Sequence, residues 1–187
     1  ERLARLAGDL GADLVVGVIE RAAPDEGGGT LYCSALCFSA DGVYLGKRRK
    51  LMPTAAERLI WGAGDGSTLE TFQGASGRIS TVICGENFMP MLRMSQYAQG
   101  VELYCAPTVD DRENWAGTMR TIALEGRCFV LSACQYMTRA NVPADFDTVQ
   151  GTAEETVLIR GGSVIISPLG EVLAGPVFCE EAILTAE

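Results

Sequence analysis

Ile79 to Ile83 is a short, mostly β-branched run that stops at Cys84. Gly85-Glu86-Asn87 then turns the chain, and Pro90 stands near the first turn of a helical pattern that Gly100 ends. A buried strand that feeds a helix through so short a turn points to a layered α/β fold. It also puts a thiol where it can face a cleft, with backbone N–H groups nearby that can bind a developing anion. The competing reading is that Cys84 is one more small buried hydrophobe, the usual fate of a free cysteine.

The rest of the chain repeats this grammar. Leu3, Leu6, Ala7 and Leu10 share one face at helical spacing, and Gly11 closes that helix. Leu14 to Ile19 is a near-continuous apolar run, which predicts a strand covered on both faces. Pro24–Gly29 is loop. Leu31 to Phe38 and Val43 to Lys50 read as strands of a hairpin turning through Ser39–Gly42. Leu51 to Gly77 has little periodicity, and so long a loop in a compact domain is usually functional. Val101 to Ala106 is a further strand, and Asp111 to Gly126 an amphipathic helix with Trp115, Met119, Ile122 and Ala123 on one face. Cys128 to Ala133 follows as a strand, then a polar segment from Gln135 to Gly151. Thr156–Ile159 is a short stretch that pairs or caps. Ser163–Ser167 and Glu171–Ala174 form a second hairpin, and Ala182–Thr185 a last strand fragment. The expectation is one domain over residues 1–187, α/β, with sheets of mixed direction.

Charge and residue absences narrow the function. The net charge is −9, and Lys47-Arg48-Arg49-Lys50 is the one basic run, which argues against a nucleic-acid binder. No apolar run approaches the length of a membrane span, and no signal-peptide pattern opens the chain. The seven cysteines form no C-x-x-C pair and most lie in apolar runs, so they read as reduced thiols of a cytoplasmic protein. There is no histidine. Ser-His-Asp and Cys-His chemistry are thereby excluded within the chain, and a zinc site is not expected.

Lys50 closes the basic run, Glu57 heads Glu57-Arg58-Leu59-Ile60-Trp61, and Cys84 ends its strand. Singly, they read as a solvated strand end, a helix-start carboxylate and a core filler. The words around them are specific. Arg49-Lys50-Leu51-Met52-Pro53-Thr54, Glu57 to Gly62, Gly64-Asp65-Gly66, and Ile83-Cys84-x-Glu86-Asn87-x-Met89-Pro90 resemble the nitrilase branch of the carbon–nitrogen hydrolase superfamily. Leu103 to Thr108, Met119-Arg120, Ile122 to Val130 and Gly161 to Gly170 continue the likeness in order through nearly the whole chain.

The resemblance implies an α-β-β-α sandwich, incomplete here at both ends. It also implies homo-oligomers, as dimers or larger spirals, and a Glu-Lys-Cys catalytic set acting on a small nitrile without metal or cofactor. Cys84 matches the nucleophile, Lys50 the lysine, and Glu57 a second glutamate held close to that lysine. An ammonium beside a cysteine favours the nucleophilic thiolate. Gly85, Phe88, Pro107 and Thr108 are expected to line the substrate pocket. The implied reaction converts a nitrile to a carboxylic acid and ammonia through a thioimidate and a thioester. Amidase or cyanide-hydrolysing activity is the near alternative, and a truncated non-catalytic assembly subunit the distant one.

Departures are also legible. The family's general-base glutamate falls before residue 1, and Glu20 follows the wrong strand to replace it. Gly85 stands where relatives usually carry Trp, Thr121 where many have His, and Cys134 where Asn is usual. Both ends look cut into, with the usual C-terminal strand and tail missing.

Overall fold

The computed structural model describes residues 1–26 and 28–187 and divides into two compact units, residues 1–107 and 108–187. In the first, α1 (Arg2–Leu10) ends at Gly11, whose φ of 60° is left-handed, as expected of a glycine cap. Strands β1 (Leu14–Arg21), β2 (Leu31–Phe38) and β3 (Tyr44–Arg49) form an antiparallel meander in that order, and Ser39–Gly42 makes the predicted turn. Between β1 and β2, Pro24–Glu26 is a single 3₁₀ turn; Gly27 of that predicted loop lies outside the described residues. The middle strand β2 carries fully buried Ser34, Ala35 and Cys37.

β1 departs from expectation. It is an edge strand of its sheet, and Ile19 is 63% exposed, so the apolar run is not covered on both faces. The long segment after Lys50 holds a 3₁₀ turn, Ala55–Leu59, and a short strand, β4 (Phe72–Gly74). β4 pairs antiparallel with β5 (Gly77–Thr81), and β5 pairs parallel with β6 (Leu103–Cys105). A parallel pair needs a crossover connection, and α2 (Pro90–Tyr97), with Pro90 at its first turn, supplies one. The pairing outlasts the strands: Val82 N–H donates to Cys105 O at 3.0 Å and Cys84 N–H to Pro107 O at 2.9 Å.

In the second unit α3 (Glu113–Gly126) buries Trp115, Met119, Ile122 and Ala123, the face predicted from spacing. The Trp115 indole N–H donates to Ser132 Oγ at 2.8 Å, so the ring's polar edge is satisfied inside the core. β9 (Val157–Ile166) pairs antiparallel with β7 (Phe129–Ser132), β8 (Tyr136–Thr138) and β10 (Val172–Phe178). Ala182–Thr185 forms no strand. The fold is α/β with sheets of mixed direction. Among the described residues no helix is long and apolar enough to cross a membrane.

Candidate active site

Successive side chains of a strand face opposite ways, so the basic run at the end of β3 divides into two pairs. Lys47 and Arg49 meet Glu20 of β1: Lys47 Nζ lies 2.6 Å from Glu20 Oε1, and Arg49 Nε donates to both carboxylate oxygens at 3.1 Å. Arg48 and Lys50 point the other way and are buried, at 0% and 1% exposure. Each has its own carboxylate, Arg48 with Glu86 at 3.0 Å and Lys50 with Glu57 at 2.7 Å. A buried ammonium needs such a partner to stay charged.

Glu57 reaches Lys50 because it stands at the third position of the 3₁₀ turn after Thr54. Its Oε2 also accepts the Thr54 N–H at 2.6 Å, the backward half of a capping box. Thr54 Oγ1 lies 3.1 Å from Lys50 Nζ. The ammonium is therefore held by a carboxylate and a hydroxyl from one turn.

Cys84 opens the 3₁₀ turn Cys84–Phe88 with φ 51°, a left-handed conformation unusual for a residue with a side chain, and it is half-buried. The turn is pinned from inside. Asn87 Nδ2 donates to Val82 O and Cys84 O, both at 2.9 Å, while Tyr104 OH donates to Asn87 Oδ1 at 3.0 Å. Three observations bring this turn to the end of β3. Leu51 N–H donates to Glu86 Oε1 at 2.7 Å. A Cβ on Gly85 would lie 2.8 Å from Thr54 Oγ1, so residue 85 carries no side chain unless Thr54 moves. Burial pushes the Cys33 thiol up to about 11, against the Lys50 ammonium and with the help of Glu57, Glu86 and Cys84, which all act on it. Cys33 is half-buried on β2, and its carbonyl accepts the Lys50 N–H at 2.8 Å.

The remaining expected site residues are placed as follows. Phe88 ends the turn, 42% exposed, and Pro107 accepts the Cys84 N–H. Thr108 belongs to the second unit, where its Oγ1 accepts the Asp110 N–H at 2.8 Å and its N–H donates to Ala133 O at 2.9 Å. Glu86, Arg48, Asn87 and Thr54 were not singled out from the sequence. The signal for Glu86 was present: like Glu57 after Thr54, it stands three residues after the residue that caps its turn, Ile83. Among the described residues no group of three or more His, Cys, Asp or Glu is placed to hold a metal ion.

Glu20 is occupied elsewhere. Burial alone would raise its pKa, but hydrogen bonds from Arg49, Lys47 and Ser34 outweigh it and bring the carboxyl from 4.5 down to about 2. A group depressed by folding contributes stability above its unfolded pKa, and that stability is lost as pH falls through the folded value. Thermal melts between pH 5 and about pH 2 are therefore expected to show a steeper loss in the native protein than in Glu20→Gln. Parallel curves would remove Glu20 from the acid response.

The carbon–nitrogen hydrolase family model matches residues 1–187. A nitrilase of Bradyrhizobium diazoefficiens is 57% identical over the whole chain, which covers 57% of that protein. An aliphatic nitrilase of Sinorhizobium fredii is 56% identical over the whole chain, covering 59% of its length. A bifunctional nitrilase/nitrile hydratase of Lupinus angustifolius is 55% identical, again over the whole chain, covering 54%. The chain thus spans a little over half the length of these curated relatives. Among solved structures, a carbon–nitrogen hydrolase of Helicobacter pylori superposes with TM-score 0.76 at 20% identity, over 96% of this chain and 63% of that one. A nitrilase-superfamily member of Saccharomyces cerevisiae gives 0.73 at 22%, over 96% and 60%. At those identities the likeness shows the fold alone.

Proposed function

The chain belongs to the carbon–nitrogen hydrolase family, and from that premise we propose that it carries the nucleophile side of a nitrilase site, with Cys84, Lys50 and Glu57 as its catalytic set. The observation that carries this reading is the pairing of buried Lys50 with Glu57 at 2.7 Å beside a left-handed cysteine turn tied to the same strand end. Nitrilases at 55–57% identity support the nitrile as substrate.

In this mechanism the Cys84 thiolate adds to the nitrile carbon, and the nitrile nitrogen takes a proton to give a thioimidate. Water adds to the thioimidate carbon, and collapse of the tetrahedral species expels ammonia and leaves a thioester. A second water releases the carboxylic acid and returns the thiol. Charge develops on the attacked group at each addition, and Lys50 with the Gly85 N–H is the donor pair that stabilises it. Glu57 holds the ammonium in place. By the resemblance, the base that activates each water is a glutamate that residues 1–187 do not include. Gly85, Phe88, Pro107 and Thr108 stay as the proposed pocket lining. The proposal also keeps residues 1–187 as part of one catalytic domain, and the protein as a cytoplasmic homo-oligomer.

A second outcome is favoured by the bifunctional relative: if the tetrahedral species expels the thiol before ammonia, an amide leaves instead of an acid. One assay covers both. The intact protein, given aliphatic and aromatic nitriles, the matching amides and cyanide, is expected to release ammonia and acid from nitriles, with amide as a side product. Turnover of amides or cyanide alone would move the chain to the alternative branches. No turnover of any of them would leave the non-catalytic subunit.

A further inference from the structure

We infer that Glu86 is the positioning residue of this site, a role that rests on the catalytic assignments proposed for Cys84 and Lys50. Its carboxylate is wholly buried, and its two oxygens serve two segments. Oε1 accepts the N–H of Leu51, the residue after Lys50, at 2.7 Å, and an N–H of Arg48 at 3.0 Å. Oε2 accepts the N–H of Ile83, the residue before Cys84, at 3.2 Å. One rigid group thus fixes the backbone next to the amine and the backbone next to the thiol.

The chemistry selects a carboxylate. Three donors from two chain segments must be met by one side chain that accepts at both of its atoms, and an ionised carboxyl does so. A glutamine would turn its NH₂ toward one of those donors. Arg48 supplies the counter-charge on the same face of β3 as Lys50. Stability alone is a poor reason for this pair, since buried ion pairs are often replaced by apolar side chains without loss. Asn87 also braces the cysteine turn, but through Val82 and Cys84 of that same segment and Tyr104 of β6.

Two variants in the intact protein separate positioning from packing. Glu86→Asp keeps the charge beside Arg48 but is shorter by one methylene and cannot span both segments. Arg48→Met with Glu86→Gln removes both charges, so neither is left unpaired. Both are expected to stay folded, melting several degrees lower for the one backbone donor left unmet, while kcat falls roughly 10- to 100-fold, KM changing less, as for a misplaced reacting group. Alkylation of Cys84 by iodoacetamide, followed on its own peptide by mass spectrometry, is expected to slow in both, and this readout needs no substrate. A native protein that alkylates at Cys84 but turns over no nitrile defeats the functional reading and leaves this comparison in force. A folded variant of either kind with undiminished kcat and alkylation rate would overturn the role. Loss of the folded state in both would make Glu86 a core element and overturn it equally.

Discussion

Replacing Cys84 by alanine is expected to lower ammonia release from nitriles by about 10⁴-fold or more, the scale on which covalent nucleophiles fail when removed. The same position gives a second, independent signature. Cys84 has φ 51°, a conformation that costs a residue with a side chain about 1–2 kcal/mol and costs glycine almost nothing. Cys84→Gly is therefore expected to be as inactive as Cys84→Ala yet to melt a few degrees higher, at about 2–4 °C per kcal/mol for a chain of this size. A buried filler behaves in the opposite order, because glycine removes one more packed carbon than alanine. Melting curves and ammonia assays on the two variants thus test strain and chemistry together. Undiminished turnover in Cys84→Ala would end the nucleophile assignment, and a less stable glycine variant would end the strain argument.

Local patterns were legible where one helix face or one turn decided the outcome. The buried face of α3 and the strand, cysteine and proline-headed helix around Cys84 followed from spacing alone. Long-range pairing was not legible. The run Leu14–Ile19 has the composition of a strand covered on both sides, but sheet order makes it an edge, and nothing within those residues encodes that order. β8 has three residues and exists through β9, across the intervening polar segment, whereas the equally short β4 is held by a tight hairpin to β5. Ala182–Thr185 is equally strand-like and pairs with no strand among the described residues. In the site, the basic run looked like a single patch until the pleat divided it, leaving Arg48 and Lys50 buried and Lys47 and Arg49 with Glu20. Two-residue alternation would have shown that division in advance. The burial of Glu86 would not have shown, because a Glu at the third position of a turn is more often a surface cap.

Removing Lys50 and removing Glu57 are expected to have different consequences, because their surroundings differ. Lys50 is 1% exposed, whereas the Glu57 side chain is 26% exposed. In Lys50→Met the orphaned carboxylate can still turn toward water and still accepts the Thr54 N–H, so stability should change little. The loss falls on kcat, by about 10²- to 10³-fold, as when a donor to a developing anion is deleted. In Glu57→Ala the ammonium stays behind, buried beside the Thr54 hydroxyl but without its carboxylate, and an uncompensated buried group costs about 1–3 kcal/mol or more. That variant should lose both melting temperature and activity. Lys50→Met with Glu57→Gln then isolates the two effects: with no buried charge left over it recovers the melting temperature, and with no donor it stays slow. If the pair variant recovered kcat along with stability, the Lys50–Glu57 contact would be a scaffold and the proposed charge stabilisation would have to come from backbone N–H groups alone.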